Sequence, residues 1–357
     1  MHNTALATID LSALRNNLTT VRTLCPRSRI MAVLKANAYG HGLIPVARAL
    51  CDADGFAVAR LSEAISLRSA GIRQRILVLG TLLDVDDIGL CSRFNIDITV
   101  HDRVSFDVAV SQSRGHPIRV WLKLDSGMHR VGFSPPEFIA ADGILSRHPG
   151  VRELIHMTHL SCADEEIEAT TNSQISRFGA CHLASSPAQV SLANSAALLK
   201  FPNTRTDWVR PGLMLYGASP FSPASGPALD VAMTFSSLVI AVRQIAAGES
   251  VGYNCRWTSA RMTRIGTIGV GYGDGYPRHA PNGTPVVINK QIAPLVGQVS
   301  MDSLTVDLTE CTQVNVGDEA ILWGPTLRPD LVARHVKTVA HGLLTSIHTR
   351  VTRSFIG

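Results

Sequence analysis

The chain has 357 residues, 45% hydrophobic and 17% charged, a length for one large domain plus a smaller one and a composition that excludes a disordered or highly charged protein. Its formal charge of +5, from 33 basic and 28 acidic residues, is scattered without a run of five or six like charges, so a nucleic-acid or membrane-surface partner is not expected, whereas an anionic small ligand fits. The seven cysteines (Cys25, Cys51, Cys91, Cys162, Cys181, Cys255 and Cys311) are odd in number, widely spaced and without a CxxC, which predicts reduced thiols in a cytoplasmic protein and no disulfide or zinc framework. MHNTALATIDLSALRNNL lacks the basic and then apolar order of a signal peptide, and apolar stretches such as Leu229–Val242 are interrupted and too short to span a bilayer.

The spacing of Leu11, Leu14, Leu18 and Val21 predicts an amphipathic helix. Eight apolar, β-branched runs then read as strands: Ile30–Lys35, Gly55–Val58, Arg75–Leu79, Asn95–Val100, Ile118–Leu124, Leu154–His159, Gln189–Leu192 and Gly212–Tyr216. Helical patterns lie between most of them. Such alternation implies parallel pairing, and eight units imply a (β/α)8 barrel, assigned to residues 1–226, with its active site at the C-terminal ends of the strands.

Lys35 closes the first of these strands. Burying an unpaired ammonium is costly, which leaves two readings: an imine with an aldehyde cofactor, or a lysine that snorkels to solvent. Ser195, after the seventh strand, reads as an ordinary helix N-cap or as a phosphate ligand. His156 and His159 are three apart on one strand and face opposite sides; no HExxH is present, so no metal is expected. Ala218–Leu229, rich in Pro, Ser, Ala and Gly, reads as a linker. Beyond it, Met233–Val242, Met262–Val270, Thr284–Ile288, Ile292–Val299, Leu304–Leu308 and Glu319–Trp323 predict a mainly antiparallel β domain over residues 227–357, ending in a helix from Pro329 to Thr345.

The string AVLKANAYGHG (Ala32–Gly42) resembles the cofactor-attachment signature of the alanine racemase family, enzymes that use pyridoxal 5'-phosphate (PLP). The likeness continues, in family order, through KLDSGMHRVGF (Lys123–Phe133), THLSCADE (Thr158–Glu165), ANSAALLKFP (Ala193–Pro202), VRPGLMLYG (Val209–Gly217), VGYNCRW (Val251–Trp257), GYGDGYPR (Gly271–Arg278) and VGQVSMD (Val296–Asp302). It covers nearly the whole chain.

The resemblance implies that Lys35 carries PLP and serves one face of an amino-acid substrate. It implies that Tyr253 serves the other face, from the neighbouring subunit of a head-to-tail homodimer. By the same likeness Tyr39 and Ser195, beside Asn194 and with the amides of Gly212 and Leu213, hold the phosphate. Arg210 is implied to face the pyridine nitrogen; an arginine stays protonated and keeps that nitrogen unprotonated, which limits carbanion build-up. His159 is implied to link Tyr253 to Arg210, because a phenol titrating near 10 is a poor base unless its proton is relayed. Arg130 by resemblance takes the substrate carboxylate, with Met301 and Asp302 contributed by the partner's loop. Lys123 is either carbamylated, as in some members, or an unmodified lysine paired with an acid such as Asp125. The implied reaction is racemisation of alanine, for D-alanine and peptidoglycan synthesis or for catabolism.

Two departures stand out. The family usually has a Tyr-Glu pair where this chain has His341-Gly342, so His341 is expected at the phosphate, in a pocket roomy enough for serine as well as alanine. Gln298 stands where arginine is usual. Three rivals fit less well. A fold-related PLP decarboxylase would bring a Gly-rich phosphate loop that is not found. A non-catalytic PLP-binding barrel would lack the β domain and Tyr253. An inactive binding module would not retain Lys35, Tyr253, Arg210, His159 and Arg130 together.

Overall fold

A computed structural model of the chain describes residues 5–80, 84–221 and 226–357. Strand β1 (Leu6–Asp10) runs straight into helix α1 (Leu11–Leu24). Asp10 sets that junction: its carboxylate accepts the backbone N–H groups of Ser12 (2.8 Å) and Ala13 (3.2 Å), an N-cap. The helix buries Leu14, Leu18 and Val21, three of the four positions its periodicity marks, and leaves Leu11 half-buried.

Eight parallel strands then close into the expected barrel: β2 (Arg29–Val33), β3 (Gly55–Val58), β4 (Arg75–Val78), β5 (Ile96–Val100), β6 (Ile118–Lys123), β7 (Val151–Met157), β8 (Gln189–Ser191) and β9 (Trp208–Val209). Arg29 opposite Trp208 completes the ring. The N-terminal end of the barrel is plugged by fully buried Asp97, which pairs with Arg75 and Arg119 and accepts the Trp121 indole N–H at 2.9 Å. Chemistry is left to the opposite mouth.

Three barrel strands differ by two residues or more from the sequence reading; the sixth, read as Leu154–His159, runs Val151–Met157. The first ends at Val33 and not at Lys35, because the backbone from Ala36 to Gly40 winds left-handed and cannot continue a ladder. The eighth is Trp208–Val209 and not Gly212–Tyr216, since Pro211 offers no N–H to extend it and Leu213–Tyr216 coils into a 3-10 turn.

The second region is a mostly antiparallel sheet built on the long strand β10 (Met233–Ile245). It pairs antiparallel with Thr263–Ile268 and Glu319–Trp323, and with β1, where Thr8 lies opposite Thr234. β1 pairs in parallel with Thr352–Ile356 on its other side. The sequence reading named neither Leu6–Asp10 nor Thr352–Ile356 as a strand. The helix expected over Pro329–Thr345 is two, Pro329–His335 and Ala340–Thr345. Lys337 at φ 54° ends the first, with Thr338 N–H donating to Ala333 O and Lys337 N–H to Arg334 O, a Schellman motif. Of the linker Ala218–Leu229, positions 222–225 lie outside the described residues. Among the described residues all seven cysteines are free, no helix is long and apolar enough to cross a membrane, and no three His, Cys, Asp or Glu side chains converge as a metal site.

Candidate active site

A cavity of about 540 Å³ opens at the C-terminal mouth of the barrel, a size suited to a small-molecule ligand. Its walls bring together ten of the residues singled out from the sequence: Lys35, Tyr39, Lys123, Arg130, His159, Asn194, Ser195, Arg210, Gly212 and Leu213. His341 joins them from the helix Ala340–Thr345. The charge balance is one-sided. Lys35, Lys123, Arg130 and Arg210 face the cavity, and Asp164 is the one acid among its described lining residues. Such a site attracts anions.

Lys35 lies two residues past β2, half-buried, and Ala36, Asn37, Ala38 and Tyr39 follow with φ of 50–55°. A left-handed run of four non-glycine residues costs roughly 1–2 kcal/mol at each. It persists because the surrounding bonds fix it: Gly40 N–H donates to Ala36 O, Gly42 N–H to Asn37 O, and Leu43 N–H to the Asn37 side chain at 2.8 Å. Gly40 is required, since a Cβ there would lie 2.1 Å from Leu344 O. Burial, and after it the Arg130 charge, hold the Lys35 ammonium below its ordinary pKa, against Glu63.

One end of the cavity is shaped for a phosphate. Ser195 is buried and its Oγ accepts the N–H groups of Gly212 (2.9 Å) and Met214 (3.3 Å), so its own proton is free for an acceptor in the cavity. A Cβ on Gly212 would come 2.6 Å from Tyr39 Oη and fill this cradle. Burial pushes the Tyr39 phenol up to about 12, which keeps it a neutral donor. Asn194 caps the helix Ser195–Lys200 through Ala197 N–H (3.0 Å) and donates to Leu160 O (3.2 Å). Its amide therefore frames the cradle.

Deeper in, Arg210 is buried and bonded to Ser191 Oγ, Thr158 O (2.5 Å) and Leu192 O (3.2 Å), with no carboxylate partner among the described residues. Burial pulls it down to about 10, so it remains a cation at neutral pH. His159 is held well below its ordinary value by burial and then by Arg210, Lys123, Arg130 and Lys35; its imidazole is neutral. His156 faces outward as expected, with Nε2 2.8 Å from Asp142. Lys123, the last residue of β6, is buried and pulled down to about 8 by burial, then by Arg210 and Arg130. Asp125 does not pair with it; its carboxylate takes the N–H groups of Gly127, Met128 and His129.

His341 sits at the mouth, its ring centroid 5.6 Å from that of Tyr39. The protein packed around it, and then the Lys35 ammonium, hold its imidazole below the ordinary value, with Asp164 opposing. The sequence reading overlooked His101, which lines the cavity directly after β5. The rule that nominated Lys35, a polar residue ending a barrel strand, would have found it. Tyr253, Met301 and Asp302 do not line this cavity. They lie exposed on the second domain, Tyr253 at 66%, and Arg350 ties Asp302 (2.7 Å) to Asp274 (2.7 Å).

Residues 9–220 match the family model described as alanine racemase, N-terminal domain, and residues 232–355 the model for its C-terminal domain. An alanine racemase of Shewanella amazonensis is 46% identical over 354 residues, covering 97% of both chains. One from Aliivibrio salmonicida is 44% identical and covers 99% of both. The crystal structure of the biosynthetic alanine racemase from Pseudomonas aeruginosa superposes with a TM-score of 0.96 at 42% identity over the whole of both chains.

Proposed function

Because the chain belongs to the alanine racemase family and interconverts L- and D-alanine, we propose that it does so with PLP attached to Lys35, with Lys35 and the partner subunit's Tyr253 as the two bases, in a cytoplasmic homodimer. The observation that carries this reading is the convergence of Lys35, Arg130, His159 and Arg210 with the Tyr39–Ser195–Gly212 cradle in one cationic cavity.

The residues present fit the cofactor. Tyr39 Oη, Ser195 Oγ and the backbone at Gly212 and Leu213 would hold its phosphate, and Arg210 would stand at its pyridine nitrogen. When bound, PLP supplies the sink for charge released at the substrate α-carbon. The protein supplies the rest. Arg130 fixes the substrate carboxylate and so presents one face of the α-carbon to Lys35. The lowered pKa of Lys35 leaves more of its amine as free base at neutral pH. The Tyr253 phenol works on the other face, with the neutral His159 imidazole as the hydrogen-bond partner that links it to Arg210. Exposure of Tyr253 and Met301 away from their own chain's cavity supports a contribution to a partner's site. The depressed Lys123 amine favours carbamylation, which needs a neutral nucleophile.

Borohydride reduction of PLP-loaded protein followed by peptide mapping is expected to place the pyridoxyl group on Lys35. Label on another lysine refutes the assignment, and a chiral assay that detects no racemisation with added PLP refutes the reading as a whole.

His341 makes a separate prediction. A phosphate dianion beside it would raise its pKa above the depressed value of the free chain. Binding then takes up a proton, so PLP affinity falls as pH rises from the free to the bound value. The phosphate titrates near 6 itself, and the difference between wild type and His341→Tyr isolates the histidine. His341→Tyr is expected to bind PLP more tightly at high pH. It is also expected to sharpen the preference for alanine over serine by about tenfold or more, the size of a methylene-scale gap. Unchanged affinity and preference would place His341 outside the cofactor's reach.

A further inference from the structure

His41 is fully buried behind the cavity, and neither proton transfer nor cofactor binding as proposed uses it. Its Nδ1 lies 3.1 Å from Ala38 O and 2.9 Å from Tyr39 O. Both partners are carbonyl oxygens, so Nδ1 carries the proton and donates to both. Those two carbonyls belong to the left-handed turn after Lys35. The imidazole also packs on the Tyr216 ring, centroids 4.6 Å apart, and Tyr216 stacks on Tyr39 at 4.7 Å. The Tyr216 hydroxyl donates to Val33 O at 2.9 Å. One stack of three rings therefore spans from the end of β2, just before Lys35, to the far side of the turn. Arg353, from the strand Thr352–Ile356, closes the same turn by donating to Gly40 O at 2.7 Å.

The other ring nitrogen shows why the residue is an imidazole. Nε2 is buried and has no hydrogen-bond partner among the described residues. An unpaired, desolvated acceptor costs stability; phenylalanine would fill the same space without that cost but would leave Tyr39 O without its donor. Burial pulls the imidazole down to about 4, so it stays neutral near neutral pH and Nε2 is not a cation. What the imidazole offers over a phenyl ring is the Nδ1 proton on Ala38 O and Tyr39 O.

We propose that His41 is a positioning residue: its Nδ1 proton holds the left-handed turn closed and thereby sets where Lys35 Nζ and Tyr39 Oη stand in the cavity. The proposal rests on the reading that Lys35 carries PLP.

Two variants test it in the full-length protein. His41→Phe keeps the ring stack and removes the proton; His41→Gln returns an N–H donor. Three quantities are measured: the melting temperature without PLP, the equilibrium PLP affinity with the pH titration of the visible absorbance of the Lys35-linked cofactor, and kcat with KM for alanine. His41→Phe is expected to melt close to wild type, because relief of the unpaired Nε2 offsets the loss of the donor to Tyr39 O, to bind PLP about tenfold more weakly and to show a shifted absorbance titration. Its kcat is expected to fall ~10²-fold, the scale of an ångström-sized misplacement, with KM changed far less. His41→Gln should recover most of the affinity and rate. Wild-type PLP affinity and kcat in His41→Phe overturn the proposal. So do a melting temperature that falls in step with the rate in both variants and a His41→Phe chain that does not fold, because each makes His41 a fold residue. A wild-type chain that takes no PLP at Lys35 removes instead the reading on which the proposal rests.

Discussion

Lys35→Ala is expected to give a folded chain whose racemisation is lost by at least ~10⁴-fold, since the covalent link to the cofactor and one proton-transfer base go together. The fold should tolerate the change. Lys35 is half-buried, and burial beside Arg130 works against its ammonium form. A group with a depressed folded pKa is held at a disadvantage while charged, so its removal relieves the native state at neutral pH and does not weaken it. The adjoining turn is fixed by bonds that do not involve the Lys35 side chain. Chiral analysis of alanine after long incubation reads the rate, and melting without PLP reads the fold. Activity within tenfold of wild type would remove Lys35 from the chemistry.

Tyr253→Phe is expected to slow racemisation ~10²–10⁴-fold, the size of a general acid–base contribution. L- and D-alanine are equal in energy, so kcat/KM must remain equal in the two directions. The asymmetry appears elsewhere. In deuterated solvent Lys35 still exchanges the α-hydrogen on its own face, so one enantiomer should take up deuterium without inverting while the other does not. Equal exchange in both enantiomers, with little loss of rate, would exclude Tyr253 as a base. Mixing Lys35→Ala with Tyr253→Ala checks which chain the tyrosine serves. After subunit exchange half the dimers are mixed, and one of the two sites in each carries both native residues, so about a quarter of wild-type activity should return. No recovery would mean that each chain completes its own site.

The barrel was legible because each strand is an apolar run of β-branched residues bounded by helical spacing, and seven of the eight strands overlap their predicted ranges. The eighth was displaced because Gly212–Tyr216 reads as a strand by composition, while Pro211 stops the ladder one step earlier. β1 and Thr352–Ile356 were missed for a different reason. Each is five residues long and interspersed with polar positions, and they become strands only by pairing with each other and with β10. At the site, Lys35 and Ser195 could be placed because one ends and the other follows a predicted strand, whereas Arg210, which precedes the strand read at Gly212–Tyr216, was placed by the family likeness of VRPGLMLYG. The left-handed run after Lys35 was not legible: Ala36, Asn37, Ala38 and Tyr39 carry no turn signal apart from Asn37, and two of its constraints, the Arg353 bond to Gly40 O and the close approach of Leu344 to Gly40, come from the other end of the sequence.

The placement of β1 also bears on the order in which the molecule can assemble. Synthesis releases the N-terminal part first, and β3 to β9 each find the previous strand as soon as they emerge. Ile9, in contrast, pairs with Met233 on one side and Phe355 on the other. A growing chain therefore carries β1 as an unsatisfied strand until β10 emerges, and as an open edge until Thr352–Ile356 is released. Pairings of such long range form slowly. The barrel and the sheet are consequently on different clocks: the first can condense during translation, whereas the second closes only after its last strand has left the ribosome.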